Sequence, residues 1–477
     1  MRFTLTFAVA VFSTASTGHW RLPRHPSSAQ KVARGENTPK SPCRNVTSSY
    51  NLCPDPICVG PMFCVQERSC MSRSSFPQAG STADAVMEEL RESKSQDVDW
   101  HSGRTNLYVQ FGGDDVLAVA RSAADLFYSE NAHGVAAFPS VAKLQSDVLE
   151  WLLSLVGGGP FADGCFTASG SESILMSLKA ARDWARARRP DLAVPKVLVP
   201  QSAHPAFEKA GAILGLEVVR TPLRADYRAD VEAMQAQICP RTVMVAGSAP
   251  QFAHGVVDPI GDIAALALRH NLWMHVDACI GALIAPFARL AGVAVPAFDF
   301  TIEGVRSISA DIHKYGFGAK GASAALFRHR CWRASYAFEF DDWPIGSYGS
   351  TGLAGTRSAG PIAAAWAVMR YLGRDGYTRI AREILEASRK LECGLQAIDG
   401  VELVCTPDLP ILAWRVPEYP IGAVAAAMTM RGWFVRPMAR PEAIHMGMIT
   451  MHQAPVVGAY LQGVRDCVAE LREQQLH

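Results

Sequence analysis

Short apolar segments alternate with helical segments through the middle of the chain, and this alternation restricts the possible folds more than any other feature. KVLVP (Lys196–Pro200), TVMVAGSAP (242–250) and WMHVDACIGA (273–282) have the length and apolar content of buried strands. Segments with helical spacing of apolar residues separate them, as parallel strands require, and the helices then cover both faces of the sheet. The sequence therefore predicts an α/β fold with a mostly parallel sheet, whose functional loops lie at the carboxyl ends of the strands.

This predicted large domain, residues 131–374, is flanked by segments of different character. Residues 76–130 are predicted to form a helical segment, and residues 375–477, with a long helix followed by short strands such as ELVCT and ILAWRV, a smaller α+β domain. Residues 1–75 are rich in Ser, Pro, Arg and Cys without sustained periodicity. They indicate either an extension without stable structure or sequence that lies upstream of the true start.

The charge balance limits the kinds of binding partner that we expect, and the distribution of cysteines indicates the cellular compartment. The chain has 46 basic and 45 acidic residues, so it gives no reason to expect a nucleic-acid surface or a polybasic membrane patch. The first residues, MRFTLTFAVAVFSTAS, imitate a secretory signal, but their apolar run is too short to span a bilayer. The cysteines from Cys165 to Cys467 are scattered singly, as in a reduced compartment. We expect a cytoplasmic protein without a transmembrane anchor.

Four polar features fall where this architecture places strand ends and helix starts. Gly170, in TASGSES, precedes a helix whose first N–H groups either bind a phosphate or are capped by serine. His204 follows the strand KVLVP, where its ring either stacks on a heterocycle or caps the next helix. Asp277 ends the strand WMHVD, as a partner for a ring nitrogen or as a turn residue. Lys314, in SISADIHKYG, is either a reactive amine or a surface lysine.

The order of these features is more specific than any one of them. A phosphate loop, a stacking histidine, a strand-end aspartate and a lysine on the following loop are the parts that pyridoxal 5'-phosphate requires. A lysine amine condenses with the aldehyde, an acid keeps the ring nitrogen protonated, and backbone N–H groups bind the phosphate. The sequence therefore predicts a pyridoxal-phosphate site in the large domain, with Lys314 holding the aldehyde.

Several longer segments resemble the sphingosine-1-phosphate lyases of the group II pyridoxal-phosphate-dependent decarboxylase-like family. They are GSESILMSLKA, PQSAHPAFEKA, APQFAHGVVDPI, HVDACIGALIAPF and GVRSISADIHKYGFGAKGAS, and the similarity runs from about Phe76 to near the C-terminus. The resemblance implies a fold-type I enzyme of the soluble bacterial type, with a large cofactor-binding domain and a smaller C-terminal α+β domain. It also implies retro-aldol cleavage of the C2–C3 bond of sphingoid base 1-phosphates, which yields a long-chain aldehyde and phosphoethanolamine.

The resemblance assigns roles to individual positions of the cofactor site. Lys314 corresponds to the family's Schiff-base lysine, Asp277 to the partner of the pyridine nitrogen and His204 to the ring-stacking histidine. These three are the predicted catalytic residues. Gly170 and Ser171 correspond to a Gly-Thr pair that binds the cofactor phosphate.

Further positions correspond to residues at the edge of the family's site. His313 corresponds to a residue near the cofactor phosphate, and Gly355 and Thr356 to a Gly-Ser pair that reaches the neighbouring subunit's cofactor. A homodimer with active sites at its interface is therefore implied. The positions that the family uses around the phosphorylated head of the substrate are represented here by Tyr108, Asn131, His133 and Lys320.

The chain departs from the family pattern at three of these places. NAHGVAAFP matches an Asn-Pro-Leu-His-like pattern with His133 one residue early, and the alignment needs a two-residue insertion after Tyr108. Phe252 stands where some bacterial members have a tyrosine.

Lys320 is either a clamp for the substrate phosphate or a solvated loop lysine, and its position in GFGAKG favours the clamp.

Two alternatives remain at this point. An amino-acid decarboxylase on the same scaffold would use the same lysine, aspartate and histidine, but would need a cation for a carboxylate in place of a phosphate clamp. A non-catalytic relative is the other alternative, and the intact set of Asp277, His313 and Lys314 argues against it. No metal site is predicted.

Overall fold

A computed structural model describes residues 75–105 and 108–476. The chain separates into two units, Met1–Ala83 and Asp84–His477, and the fold described below is that of the second unit. The predicted N-terminal extension, residues 1–75, lies outside the described residues except for Ser75.

The helices and strands follow the order that the alternating pattern predicts. The α-helices are α1 (Ala83–Lys94), α2 (Asp114–Leu126), α3 (Pro139–Leu155), α4 (Gly170–Arg186), α5 (Ala206–Leu214), α6 (Val231–Ala236), α7 (Ile260–Arg269), α8 (Ala285–Leu290), α9 (Arg333–Tyr336), α10 (Gly360–Gln396), α11 (Ile421–Met430) and α12 (Val457–Leu476). The strands are β1 (Asp163–Thr167), β2 (Lys196–Pro200), β3 (Glu217–Thr221), β4 (Thr242–Ser248), β5 (Trp273–Asp277), β6 (Val305–Asp311), β7 (Ser323–Phe327), β8 (Phe338–Phe340), β9 (Tyr348–Ser350), β10 (Glu402–Leu403), β11 (Ile411–Arg415), β12 (Arg436–Ala439) and β13 (Glu442–Met448).

The large sheet has seven strands in the order β1-β7-β6-β5-β4-β2-β3. Strands β3, β2, β4, β5 and β6 pair in parallel, whereas β7 runs antiparallel to both β6 and β1. The reversal at β7 follows from the short loop between β6 and β7, which contains no helix that could return the chain to the other end of the sheet. The predicted mostly parallel sheet is confirmed, and Lys314 lies on this short loop.

Both faces of the large sheet are buried. Alternate residues of β2 contribute to different hydrophobic clusters, Leu198 to one and Val197 and Val199 to the other. The same alternation separates Met274 from Trp273 in β5. Burial of one such aliphatic side chain stabilises a fold by about 1.5–3 kcal/mol. Because the central strands are packed on both faces, their ends hold the attached loops in fixed positions.

A second sheet of four strands, in the order β10-β11-β13-β12, is antiparallel and belongs to the C-terminal part of the chain. The segment labelled α10 contains two helical runs that meet in a kink at Gly373, and the second run corresponds to the long helix that the sequence predicts after Gly376. Gly373, with φ 54° and ψ −170°, interrupts its helical geometry, and only glycine adopts such a conformation without strain. The predicted domain boundary between residues 374 and 375 lies just beyond this interruption.

Across residues 75–105 and 108–476, none of the helices combines the length and the apolar character that crossing a bilayer would require.

Candidate active site

A cavity of about 380 Å³ lies at the carboxyl ends of the central strands. Ser248 ends β4, Asp277 ends β5 and Asp311 ends β6, and all three line it. This is the edge of the sheet at which the sequence predicts the functional loops. The predicted site residues that line the cavity are Tyr108, Gly170, Ser171, His204, Asp277, His313, Lys314 and Lys320.

Asp277 is a buried carboxylate held in one orientation. Its Oδ1 accepts hydrogen bonds from Ser309 Oγ at 2.9 Å and from the backbone N–H of Cys279 at 3.2 Å. Burial alone would raise the pKa of Asp277, but the nearby Lys314 ammonium, with a smaller contribution from the Cys279 side chain, more than offsets it, so the pKa lies below its ordinary value. The side chain is therefore ionised at neutral pH, with Oδ2 free of these two bonds.

Lys314 forms an ion pair with a residue that the sequence analysis did not single out. Its Nζ lies 2.9 Å from Oδ2 of Asp311, whose side chain is only 2% exposed. Burial alone would lower the pKa of Lys314, but Asp311, with a further contribution from Asp277, raises it above the ordinary value. The lysine is thus protonated as long as it faces Asp311, and Asp311 is placed to accept the proton that the amine must lose before it attacks an aldehyde.

A chain of buried hydroxyl groups fixes Asp311 from behind. Ser323 Oγ donates to Asp311 Oδ1 at 2.5 Å, and lies 2.7 Å from Ser173 Oγ. Ser173 Oγ lies 2.6 Å from Thr167 Oγ1. These hydroxyls come from β7, α4 and β1, so the orientation of the Lys314 partner depends on three separate elements of the fold.

Gly170 and Ser171 lie at the start of α4 and line the cavity. The helix is capped by Ser169, whose side chain accepts from the backbone N–H of Glu172. A Cβ atom at Gly170 would lie 2.7 Å from an Asp311 carboxylate oxygen and 2.8 Å from the Cys279 sulfur, so only glycine fits at this position. The positive end of this 17-residue helix lies at the cavity, which Ser169, Gly170 and Ser171 line.

Two histidines contribute uncharged rings to the cavity. Nδ1 of His204 accepts from the backbone N–H of Ala206 at 3.1 Å, which places the ring proton on Nε2. Burial lowers the pKa of His204, and burial likewise lowers that of His313. Nδ1 of His313 donates to the carbonyl oxygen of Ala322 at 2.7 Å. Both rings are neutral at pH 7 and can pack against an aromatic ligand without the cost of burying a charge.

Both hydrogen-bond partners of the Lys320 ammonium are uncharged. Its Nζ donates to Gln110 Oε1 at 2.7 Å and to the carbonyl oxygen of His313 at 3.2 Å. Partial burial of the ammonium, together with the nearby Lys314, lowers the pKa of Lys320 to about 8. A cation that lines a cavity without forming an ion pair can take an anionic ligand. Gln110, which orients it, was not predicted from the sequence.

The remaining predicted residues lie together outside the lining of this cavity. Oδ1 of Asn131 accepts from the backbone N–H of His133 at 3.0 Å and of Arg357 at 3.3 Å. The His133 ring lies 5.2 Å from the Tyr348 ring, and a Cβ at Gly355 would lie 3.0 Å from the Tyr348 hydroxyl. Asn131 and His133 are thus next to the segment of Gly355 and Thr356, and their predicted roles remain predictions.

These groups fit pyridoxal 5'-phosphate. The start of α4 lines the cavity at Gly170 and Ser171, and the N-terminus of a helix favours the binding of a phosphate. The ionised Asp277 can hold a proton on a pyridine nitrogen, and the neutral His204 can cover a ring face. Lys314 supplies a primary amine in the same cavity.

Comparison with known proteins gives one consistent result. The sequence profile described as "Pyridoxal-dependent decarboxylase conserved domain" matches residues 67–417. A sphingosine-1-phosphate lyase of Arabidopsis thaliana is 34% identical over 395 residues, 81% of this chain and 72% of that protein. Sphingosine-1-phosphate lyase 1 of Rattus norvegicus is 34% identical over 399 residues, 83% of this chain and 70% of that protein.

Solved structures agree with the sequence comparisons. The structure of a Burkholderia pseudomallei sphingosine-1-phosphate lyase superposes with a TM-score of 0.81 at 33% identity, over 85% of this chain and 94% of that chain. A glutamate decarboxylase of Lactobacillus brevis superposes with a TM-score of 0.73 at 17% identity, over 85% of this chain and 96% of that chain, which shows a shared fold only.

Proposed function

Because this chain belongs to the pyridoxal-dependent decarboxylase family and, within it, to the sphingosine-1-phosphate lyases, we propose that it cleaves the C2–C3 bond of sphingoid base 1-phosphates. The products are a long-chain aldehyde and phosphoethanolamine, and the cofactor is pyridoxal 5'-phosphate. The observation that carries the proposal is that Asp277, His204, Gly170 and Lys314 converge on one cavity, which also presents Lys320. The predicted fold-type I class follows from the same family membership.

The four predicted cofactor residues and Asp311 have separate tasks in the proposed reaction. When bound, pyridoxal phosphate supplies an electron sink for the charge left as the C–C bond breaks. Asp277 keeps a proton at the ring nitrogen, His204 fixes the ring from one face, and the start of α4 at Gly170 binds the phosphate. Lys314 would supply the amine that holds the cofactor aldehyde, and Asp311 Oδ2, 2.9 Å from Lys314 Nζ, is placed to take or return the proton of this amine.

The direct test is product analysis with the purified protein loaded with the cofactor. A sphingoid base 1-phosphate should give a long-chain aldehyde and phosphoethanolamine in equal amounts. In parallel, a panel of amino acids should release no carbon dioxide above the rate of a heat-inactivated control. Release of carbon dioxide from an amino acid, without aldehyde from the phosphorylated base, would replace the lyase with the decarboxylase alternative.

Lys320 is proposed to bind the substrate phosphate, and Lys320→Ala should raise KM about tenfold or more with little change in kcat, because a charge-assisted contact present throughout the reaction is lost. The pKa of about 8 adds a pH effect in the unmodified enzyme. As pH rises through 8 the ammonium loses its proton, so KM should rise above pH 8. Steady-state kinetics between pH 6.5 and 9.5 measure both effects.

Lys320→Arg is the matched control, since arginine keeps its charge over this range and should remove the rise in KM. Cofactor affinity should be the same in all three proteins. Cleavage of unphosphorylated sphingosine as efficiently as of its phosphate would contradict the phosphate role of Lys320.

We further propose a homodimer in which Gly355 and Thr356 reach the cofactor of the partner subunit. Asn131, His133 and this segment lie together but away from the lining of the chain's own cavity. A second copy of the chain would explain why predicted substrate and cofactor residues gather there. Sedimentation velocity should give the mass of two chains, and a monomeric species with full activity would exclude the shared site.

A cytoplasmic location is proposed on the state of the thiols. Within the part of the chain that the structure describes, the free cysteines are Cys165, Cys239, Cys279, Cys331, Cys393, Cys405 and Cys467. Free thiols on both buried and exposed sites are typical of a reducing compartment. Cell fractionation tests this location, and recovery in the exported fraction would contradict it.

A further inference from the structure

The guanidinium of Arg436 lies at the outer part of the cavity. None of the predicted roles involves this cation. Asp277 and Asp311 are 8% and 2% exposed, so they mark the inner part of the cavity. Lys320 and Arg436 line the same cavity and are exposed. Arg436 is the first residue of β12, and so reaches the cavity from the C-terminal sheet rather than from the large one.

Packing against an aromatic ring holds Arg436 in place. Its Cζ lies 5.8 Å from the centre of the Phe252 ring, which also lines the cavity. His445, the strand partner of Arg436 in β13, packs against the same Phe252 ring with 4.7 Å between ring centres. Nδ1 of His445 accepts from the backbone N–H of Gly447, so Nε2 donates to the Phe252 carbonyl oxygen at 2.8 Å.

The position of the guanidinium over the Phe252 ring engages none of its N–H groups with a carboxylate. Among the described residues, no carboxylate forms an ion pair with Arg436. A guanidinium presents several N–H donors in one plane, and so binds phosphate or carboxylate oxygens through two parallel hydrogen bonds. An arginine that lines a cavity without a counter-ion is therefore matched to an anionic ligand.

The charges of the cavity indicate which anion. Its acidic lining residues among those described are Asp277 and Asp311, and Asp311 is paired with Lys314. Asp277 is assigned to the cofactor ring nitrogen. Lys320 and Arg436 then remain as two cations, which match the two negative charges of a phosphate monoester better than the single charge of a carboxylate.

We propose that Arg436 is a specificity-determining residue that binds the substrate phosphate together with Lys320. This inference rests on the proposed lyase function, since it assigns the phosphate of that same substrate. Phe252 supports the guanidinium of Arg436 in this arrangement. Some related lyases have a tyrosine at this position. The phenylalanine ring has no hydroxyl group that could accept a hydrogen bond from Arg436.

The test compares Arg436→Gln and Arg436→Lys with Arg440→Gln, a matched control in the exposed turn between β12 and β13 that does not line the cavity. With the cofactor-loaded enzyme, Arg436→Gln should raise KM for a sphingoid base 1-phosphate about 10- to 100-fold, the size expected for a lost bidentate ionic contact, with kcat within about threefold. Arg436→Lys should be intermediate, and Arg440→Gln unchanged.

Binding without turnover supplies the second readout. Calorimetric titration should show that Arg436→Gln weakens the binding of phosphoethanolamine by a similar factor but leaves the binding of ethanolamine unaffected.

If Arg436→Gln and Arg440→Gln behave alike in both assays while the unmodified enzyme cleaves the substrate, the inference about Arg436 is wrong and the lyase function stands. If the unmodified enzyme cleaves nothing yet its phosphoethanolamine binding depends on Arg436, the lyase function fails and the phosphate site stands. Weakened binding of glutamate but not of phosphoethanolamine would overturn the phosphate assignment.

Discussion

Replacing Lys314 with alanine is expected to abolish covalent attachment of the cofactor and to lower turnover by about 10⁴- to 10⁶-fold, the range for removal of a covalent nucleophile. The lysine lies on the short β6–β7 loop and lines the cavity beside Asp277 and Asp311. Borohydride reduction followed by peptide mass spectrometry should find the cofactor on the peptide that contains Lys314. The variant should carry no such adduct and should lack the absorbance of the bound cofactor.

Folding and chemistry must be separated in this experiment, because Lys314→Ala leaves Asp311 without its ion-pair partner. Asp311 is 2% exposed, and an unpaired buried charge costs about 3–5 kcal/mol. Lys314→Arg is the matched control, since its guanidinium keeps a positive charge opposite Asp311 but does not condense with the aldehyde. It should melt close to the unmodified protein and still be inactive. An adduct on a different lysine, or normal turnover in Lys314→Arg, would contradict the assignment.

The position of Lys314 shows what the sequence could predict. The alternation of strands and helices predicts a mostly parallel sheet, and the carboxyl ends of parallel strands meet at one edge. Asp277 ends β5 and His204 follows β2, so local patterns were sufficient to bring them to one cavity with Lys314. Asp311 was equally within reach, since it ends β6 three residues before the lysine.

Features that depend on distant parts of the chain were not predictable in this way. Arg436 lines the cavity only because the C-terminal sheet packs so that β12 lies beside Phe252. Gln110 orients Lys320 across 210 positions of sequence. Neither residue belongs to a motif with a regular spacing. The periodicity of apolar residues predicts local secondary structure, but it does not predict which distant segments pack together.

The course of the chain at the predicted domain boundary, in α10, could also not be predicted from the local sequence. Apolar residues from Ile362 to Leu372 are buried at helical spacing, but Gly373 interrupts the pattern before a second helical run begins. A glycine inside a helical pattern predicts an end or a kink, and the sequence alone does not decide between them. In the structure two helical runs meet in a kink at Gly373.

Asp277→Asn is expected to lower turnover by about 10²- to 10⁴-fold, the range for loss of a positioned proton partner, while covalent labelling of Lys314 is retained. The asparagine oxygen can still accept from Ser309 Oγ and the Cys279 N–H, as Asp277 Oδ1 does at 2.9 and 3.2 Å, so the local fold should persist. What disappears is the negative charge that Lys314 stabilises by lowering the pKa of Asp277 against the effect of burial. Asp277→Glu, which keeps the charge at a shifted position, should recover part of the activity. Turnover near normal in Asp277→Asn would show that the reaction does not need a charged partner at the ring nitrogen.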